Sequence, residues 1–226
     1  MFIGHFGVAF GAKKYAPKVS LGILFIATQF IDLLWPVLLL FGLEKVAIDV
    51  GNTAVTPLNF ISYPISHSLL AVIVWSILVG GIYYLFKKEK GAAVLLGAVV
   101  LSHWILDLIT HRPDLEIIPG AGYTAGLGLW NSVIGTIIVE GTIFGLGVFL
   151  YWKSTYAKNR MGEIGFWGLV VFLVMVYLIN LFGPPPESAG AIPYAGFAMW
   201  LLVIWAFWTD RNRRSRSELE EVNAQE

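Results

Sequence analysis

Cysteine is absent from this 226-residue chain. That excludes disulfides, zinc-thiolate sites and thiol catalysis, and it leaves the compartment open. Charge is scarce. Only 13% of residues are Asp, Glu, Lys or Arg, against about 25% in soluble domains. The 15 basic and 15 acidic residues cancel, so nothing in the balance points to nucleic acid or another polyanion. The opening stretch Met1–Gly11 lacks the basic n-region of a secretory signal. Lys13 and Lys14 follow its apolar run instead of preceding it, so the first full hydrophobic segment reads as an uncleaved anchor. There is no internal repeat, no low-complexity tract and no linker long enough to separate domains.

What is abundant is apolar surface. The chain is 57% hydrophobic with a mean hydropathy of +0.73, well above the 45–50% or so of soluble domains, which marks an integral membrane protein. Runs of about 20 apolar residues, the length of a span, occur at Leu21–Gly42, Ser68–Phe86, Gly91–Thr110, Leu127–Trp152, Ile164–Phe182 and Ala191–Trp208. The expected fold is all-α: a polytopic bundle of about six transmembrane helices plus a short N-terminal re-entrant or interfacial segment. It forms one membrane domain, 1–209, with a polar half, 1–152, a scaffold half, 164–208, and a charged tail, 210–226. The last two spans carry almost no ionisable residues and read as lipid-facing scaffold. Lys and Arg cluster before span one, between spans two and three, between spans four and five, and after span six. The opposite loops hold only Lys45 and Arg112. The positive-inside rule then puts both termini in the cytoplasm.

The ionisable residues inside or bordering the spans are few: His5, Asp32, His67, His103, Asp107, His111 and Glu140. A charge at the bilayer centre costs about 2.5–3.5 kcal/mol even on the lenient scale, so each needs a compensating reason. Metal ligation, ion pairing or a water-filled cavity would supply one. His103, Asp107 and His111 recur at i, i+4 and i+8 and form one polar stripe on a helix. Imidazoles and carboxylates are the donors that bind divalent transition metals. At about 1.5 Å per residue, Asp32, His103 and Glu140 fall at one level just beyond the midplane. Asp107, His111 and His67 lie progressively nearer the outer face, giving a polar column. His5 joins it if the N-terminal segment dips inward. Plainer readings exist for each: a His103–Asp107 hydrogen bond, a neutral Glu140 paired with His103, an interfacial His67. Arg112, Asp114 and Asn131 sit at the outer mouth. Gly141 and Gly145 suggest a helix contact on span four, and Gly4, Gly7 and Gly11 another on the N-terminal segment.

These residues resemble the bacterial inner-membrane proteins known as membrane-bound metal-dependent hydrolases. The matching elements are Gly4-His5, Asp32 with Pro36, Ser66-His67-Ser68, and Ser102-His103 followed by Asp107, in order across 1–111. The family's histidine and arginine of an H-R-G motif fall at Ser62 and Tyr63 here, so both are missing, and His111 or Glu140 would have to replace a lost ligand. The resemblance implies a divalent metal, zinc first and manganese second, held by His5, Asp32, His67, His103 and Asp107. On that reading Asp107 and Glu140 are the candidate catalytic carboxylates, and a site opening towards the outer leaflet makes a membrane lipid or lipid-linked (phospho)ester the expected substrate. Two other classes stay open. A proton- or cation-coupled transporter would use the same midplane groups, although no repeat and no paired broken helices are evident. A non-catalytic scaffold would use them to hold helices together.

Overall fold

The computed structural model describes residues 1–217. The chain opens with a short helix, α1 (Ile3–Ala12), whose residues are nearly all buried. It does not lie on the surface. It is packed among α2 (Leu21–Thr28), α6 (Lys90–Thr110) and α7 (Val133–Ser154). Glycine makes this possible. A Cβ on Gly7 would lie 2.6 Å from Phe144 Cα, and one on Gly147 would lie 1.9 Å from the Gly7 carbonyl oxygen. The α1 backbone therefore rests directly on that of α7, as small residues allow in membrane helices. The expected contact at Gly141 and Gly145 is not made: both are exposed, and among the described residues no atom lies within 4 Å of a Cβ placed there. They fall on the face of α7 turned away from the bundle.

The first span is broken. α2 and α3 (Phe30–Leu40) meet at Gln29 with a 56° bend. Thr28 Oγ1 donates to the carbonyls of Leu24 and Phe25, back-bonding that bends helices. Pro36 inside α3 brings no N–H to the turn that contains Asp32. The break is buried, and among the described residues both polar ends of the Gln29 side chain lack a hydrogen-bond partner.

After α3 the chain forms an antiparallel hairpin of β1 (Lys45–Ile48) and β2 (Leu58–Ser62), with a register shift between Lys45 and Val46. A single turn, α4 (Pro64–His67), leads into α5 (Leu69–Lys87). Lys88, left-handed at φ 58°, turns α5 back into α6. A short strand pair, β3 (Leu115–Glu116) with β4 (Thr124–Ala125), precedes α7. That helix starts at Val133, not Leu127, because Gly126 and Gly128 hold positive φ and Ser132 caps Gly135 N–H. Ser20, Ser68 and Asn159 cap the starts of α2, α5 and α8 (Arg160–Phe182) in the same way, each worth about 1 kcal/mol. Among the described residues, five helices are long and apolar enough to cross a membrane, six spans if the bent pair counts as one.

The tail begins in structure. Beyond α9 (Ile192–Arg211), β6 (Arg213–Ser215) pairs with β5 (Thr155–Ala157). Arg213 is buried, stacks on Phe166 and Tyr151 and reaches Glu163. Nearby, buried Lys13 binds Asp210 at 2.9 Å. This end of the bundle is closed by ion pairs. The rest of the expected tail, 218–226, lies outside the described residues.

Candidate metal centre

Five polar side chains meet at one point between α1, the broken span, α4 and α6. His5 comes from α1, Asp32 from the first turn of α3, His67 from α4, and His103 and Asp107 from adjacent turns of α6. His5 Nε2 lies 3.1 Å from Asp107 Oδ1. His103 Nε2 lies 3.1 Å from Asp107 Oδ2 and 3.6 Å from Asp32 Oδ1. His67 Nε2 lies 3.4 Å from Asp32 Oδ1 and 3.9 Å from Asp107 Oδ2. The donor atoms of His5, His103 and Asp107 all fall within 4.8 Å of one another, and so do those of Asp32, His67 and His103. These are the atoms available to hold a divalent ion. The buried amino group of Met1 also lies in this cluster, 2.5 Å from Asp107 Oδ1.

The orientation of His103 is fixed by the helix break. Its Nδ1 donates to the Thr28 carbonyl at 2.7 Å. A neutral imidazole has one proton, so Nε2 then presents a lone pair, and that lone pair faces two carboxylates. Nε2 is buried and has no hydrogen-bond partner among the described residues. In that tautomer the Nε2 lone pair and the carboxylates are acceptors aimed at one space, with the Met1 amino group on the other oxygen of Asp107.

His111 is not part of this cluster. It stands one turn beyond Asp107, past the end of α6, where its Nδ1 meets Asp114 Oδ1 at 3.0 Å and its ring packs on Trp130. Tyr63 donates to the same Asp114 oxygen at 2.8 Å. Arg112 donates to Asp114 Oδ2 at 3.0 Å and to the side-chain oxygens of Asn59 and Asn52. The stripe of part-polar residues on α6 thus splits into two clusters. Burial pushes the His111 imidazole pKa down. Burial opposes ionisation of Asp114, but His111, Tyr63 and Arg112 outweigh it and hold its carboxyl below the usual range. Burial and Asp114 push the Tyr63 phenol up, so it stays a donor. Arg112 serves here as a clasp between the hairpin and the end of α6. Asn131 is exposed in the turn at Leu129–Asn131, outside both clusters.

Glu140 does not pair with His103. Its Oε2 accepts the N–H groups of Phe2 at 2.8 Å and Gly4 at 3.4 Å. It therefore caps α1 from across the bundle, satisfying donors that a helix start leaves open. Its Oε1 accepts no hydrogen bond among the described residues.

Three of the cluster residues, Asp32, His67 and Asp107, line one end of a cavity of about 980 Å³. Asp32, His67, Asp107, His111 and Glu140 line the polar end, and the hairpin loop 50–58 and Pro184–Pro186 line the rim. The opposite wall is apolar and comes from α8 and α9, through residues such as Phe172, Ile192, Met199, Leu202 and Trp205. This corrects the reading of the last two spans as lipid-facing scaffold only. One face of each builds the cavity, and it looked like scaffold because that wall is apolar. Asp32, with a side chain 25% exposed, is the most open of the five cluster residues.

Three residues here carried no sequence signal. Glu44 lies after the first span, where an acidic loop residue is ordinary. Tyr177 lines the cavity with a hydroxyl that has no partner among the described residues, but span tyrosines are common. Thr28 contributes only a backbone carbonyl. The model of the YdjM inner membrane protein family matches residues 48–184, more than half of the chain. The chain belongs to the YdjM inner membrane protein family. The matched region includes His67, His103, Asp107 and Glu140, while His5 and Asp32 precede it. Membership of YdjM agrees with the polytopic helical bundle and makes this a multi-pass inner-membrane protein. No curated protein and no solved structure matches the chain.

Proposed function

We propose that this YdjM-family chain is a membrane-embedded, metal-dependent hydrolase acting on an ester or phosphoester of a membrane lipid. One observation carries the reading. Three imidazoles and two carboxylates converge beside the polar end of a large cavity, and the buried His103 Nε2 faces carboxylate oxygens without a hydrogen-bond partner among the described residues. A cation resolves that arrangement. Zinc bound at about 2.0–2.1 Å to its ligands brings neighbouring donors to about 3.4 Å, close to the 3.1–3.9 Å separations here. His and carboxylate donors suit zinc, with manganese the second choice. His5, Asp32, His67, His103 and Asp107 would hold the ion, and it would supply a bound water of pKa near 7.

The rest falls to the protein. Attack of water on the ester carbon or phosphorus forms one bond to oxygen and breaks the bond to the leaving alkoxide. Glu140, with Oε1 unengaged, takes the water proton and returns it to that alkoxide. Asp107, shared by His5 and His103, holds both rings in place. The apolar wall supports a lipid substrate. A chain moving from bilayer to wall leaves one apolar medium for another, so the polar end decides what binds. The charge distribution favours cytoplasmic termini, which turns the cavity rim outward. Purified protein loaded with zinc should release product from phospholipid or fatty-ester micelles, with Asp107→Ala lowering kcat at least 100-fold. Equal rates for both proteins would remove the reading.

A cation-coupled carrier is the second reading, favoured by the broken first span beside the charged cluster. The ion pairs that close the basic end, Lys13–Asp210 and Arg213–Glu163, favour access from one side only. Cation-dependent flux into proteoliposomes would reverse that preference.

A further inference from the structure

His67 is held by a chain of hydrogen bonds that ends in a residue outside the donor set. Glu44 is buried. Its Oε1 accepts the N–H groups of Ile65 and Ser66, both at 2.8 Å. Its Oε2 accepts the Ser66 hydroxyl at 2.6 Å, the length of a charge-assisted O–H···O bond. Ser66 Oγ then lies 2.7 Å from His67 Nδ1. A serine hydroxyl has a single proton. Since that proton goes to Glu44, the short contact to His67 requires Nδ1–H as the donor. In the neutral ring Nε2 is left with its lone pair, facing Asp32 and Asp107.

We propose that Glu44 is a positioning residue that sets the tautomer of His67 through Ser66, presenting Nε2 as a ligand. The purpose of this device rests on the metal reading, but its geometry does not. His103 is set the same way by the Thr28 carbonyl, so two rings from different elements offer Nε2 to the same carboxylates. Acceptors that bind the far nitrogen of a ligating histidine orient its ring and are worth about 10–100-fold in metal affinity.

Glu44→Gln tests direction rather than contact. The glutamine oxygen still accepts from Ile65 and Ser66, which keeps the cap on α4. Its amide nitrogen now donates to Ser66 Oγ, which frees the hydroxyl proton to go to His67 Nδ1 and lets the ring proton move to Nε2. Ser66→Ala leaves Glu44 and its backbone bonds in place but cuts the link.

The experiment is ¹⁵N NMR of histidine-labelled, metal-free, full-length protein in detergent near pH 8. His67 is assigned by its loss in His67→Gln, and zinc affinity is measured by chelator competition on the same samples. Wild type should show His67 as the Nδ1–H tautomer, Glu44→Gln as Nε2–H, and Ser66→Ala as a mixture. Zinc should bind 10–100-fold more weakly to Glu44→Gln. A wild-type Nε2–H ring, or a tautomer unchanged in both variants, overturns the proposal. The tautomer pattern without zinc binding in wild type upholds the positioning role and removes the hydrolase reading alone.

Discussion

His5 and His103 stack face to face, with ring centroids 3.8 Å apart and planes 2° from parallel. One ring comes from the fifth residue of the chain and the other from the middle of α6. They meet because α1 enters the bundle. Its entry depends on Gly7 and Gly147, where two backbones touch.

Gly147→Ala puts a methyl group against the Gly7 carbonyl, which has no flexible end to move. The expected cost is about 1–3 kcal/mol of stability from overpacking, with a parallel loss of metal uptake as His5 is displaced. Gly145→Ala, on the open face, should stay within about 0.5 kcal/mol. Denaturant unfolding in detergent compares the two. Equal, small effects would mean that α1 is not packed on α7 as described.

The apolar wall should govern chain length. Ala195 lines the cavity from α9. Ala195→Trp should raise KM for long-chain esters about tenfold and leave short-chain esters within about twofold, since one blocked apolar subsite is worth about 1–3 kcal/mol. A uniform change across chain lengths would contradict an acyl-binding wall.

The second cluster makes a pH-dependent prediction. His111 is buried with its pKa below the unfolded value of 6.5. The unfolded chain therefore takes up this proton first, so stability falls as pH drops through about 6.5 towards the folded value. Asp114 adds a separate loss below 3.8, where its unfolded carboxyl titrates. Midpoints of thermal unfolding from about pH 8 to pH 5 should decline in wild type and flatten in His111→Gln. A wild-type midpoint that rises on acidification would mean His111 is charged in the folded state.

Much of this architecture is legible in the sequence because membrane spans are long apolar runs and intramembrane polar residues are rare. The spans, the re-entrant start and the identities of the five clustered residues need nothing more. Depth arithmetic does less well. It treats helices as straight and predicts a polar column, whereas the bend at Gln29 and the tucked α1 gather His5, Asp32, His67, His103 and Asp107 together and leave His111 with Asp114. Hydropathy also cannot tell a lipid-facing apolar helix from one lining a cavity, so α8 and α9 look like scaffold. The hairpin at Lys45–Ser62 and the strand pairing of Arg213–Ser215 depend on partners far apart in the chain, and Glu44 acquires its role only through Ser66.

The native lack of cysteine makes orientation simple to measure. Single cysteines at Lys88 and Glu187, both exposed and on opposite ends of the bundle, report the two sides. Charge distribution predicts that a membrane-impermeant maleimide applied to intact spheroplasts labels the cysteine at 187 and not the one at 88. The reverse pattern would turn the cavity rim towards the cytoplasm and remove outer-leaflet lipids as substrates.

The central claim is that the five converging side chains hold a metal ion. Elemental mass spectrometry on detergent-purified protein, after loading and desalting, tests it directly. The account predicts tightly held zinc or manganese in wild type, lost in His103→Ala and retained in His111→Ala. A wild type that holds no metal after loading, or a His103→Ala variant that holds as much as wild type, would contradict it.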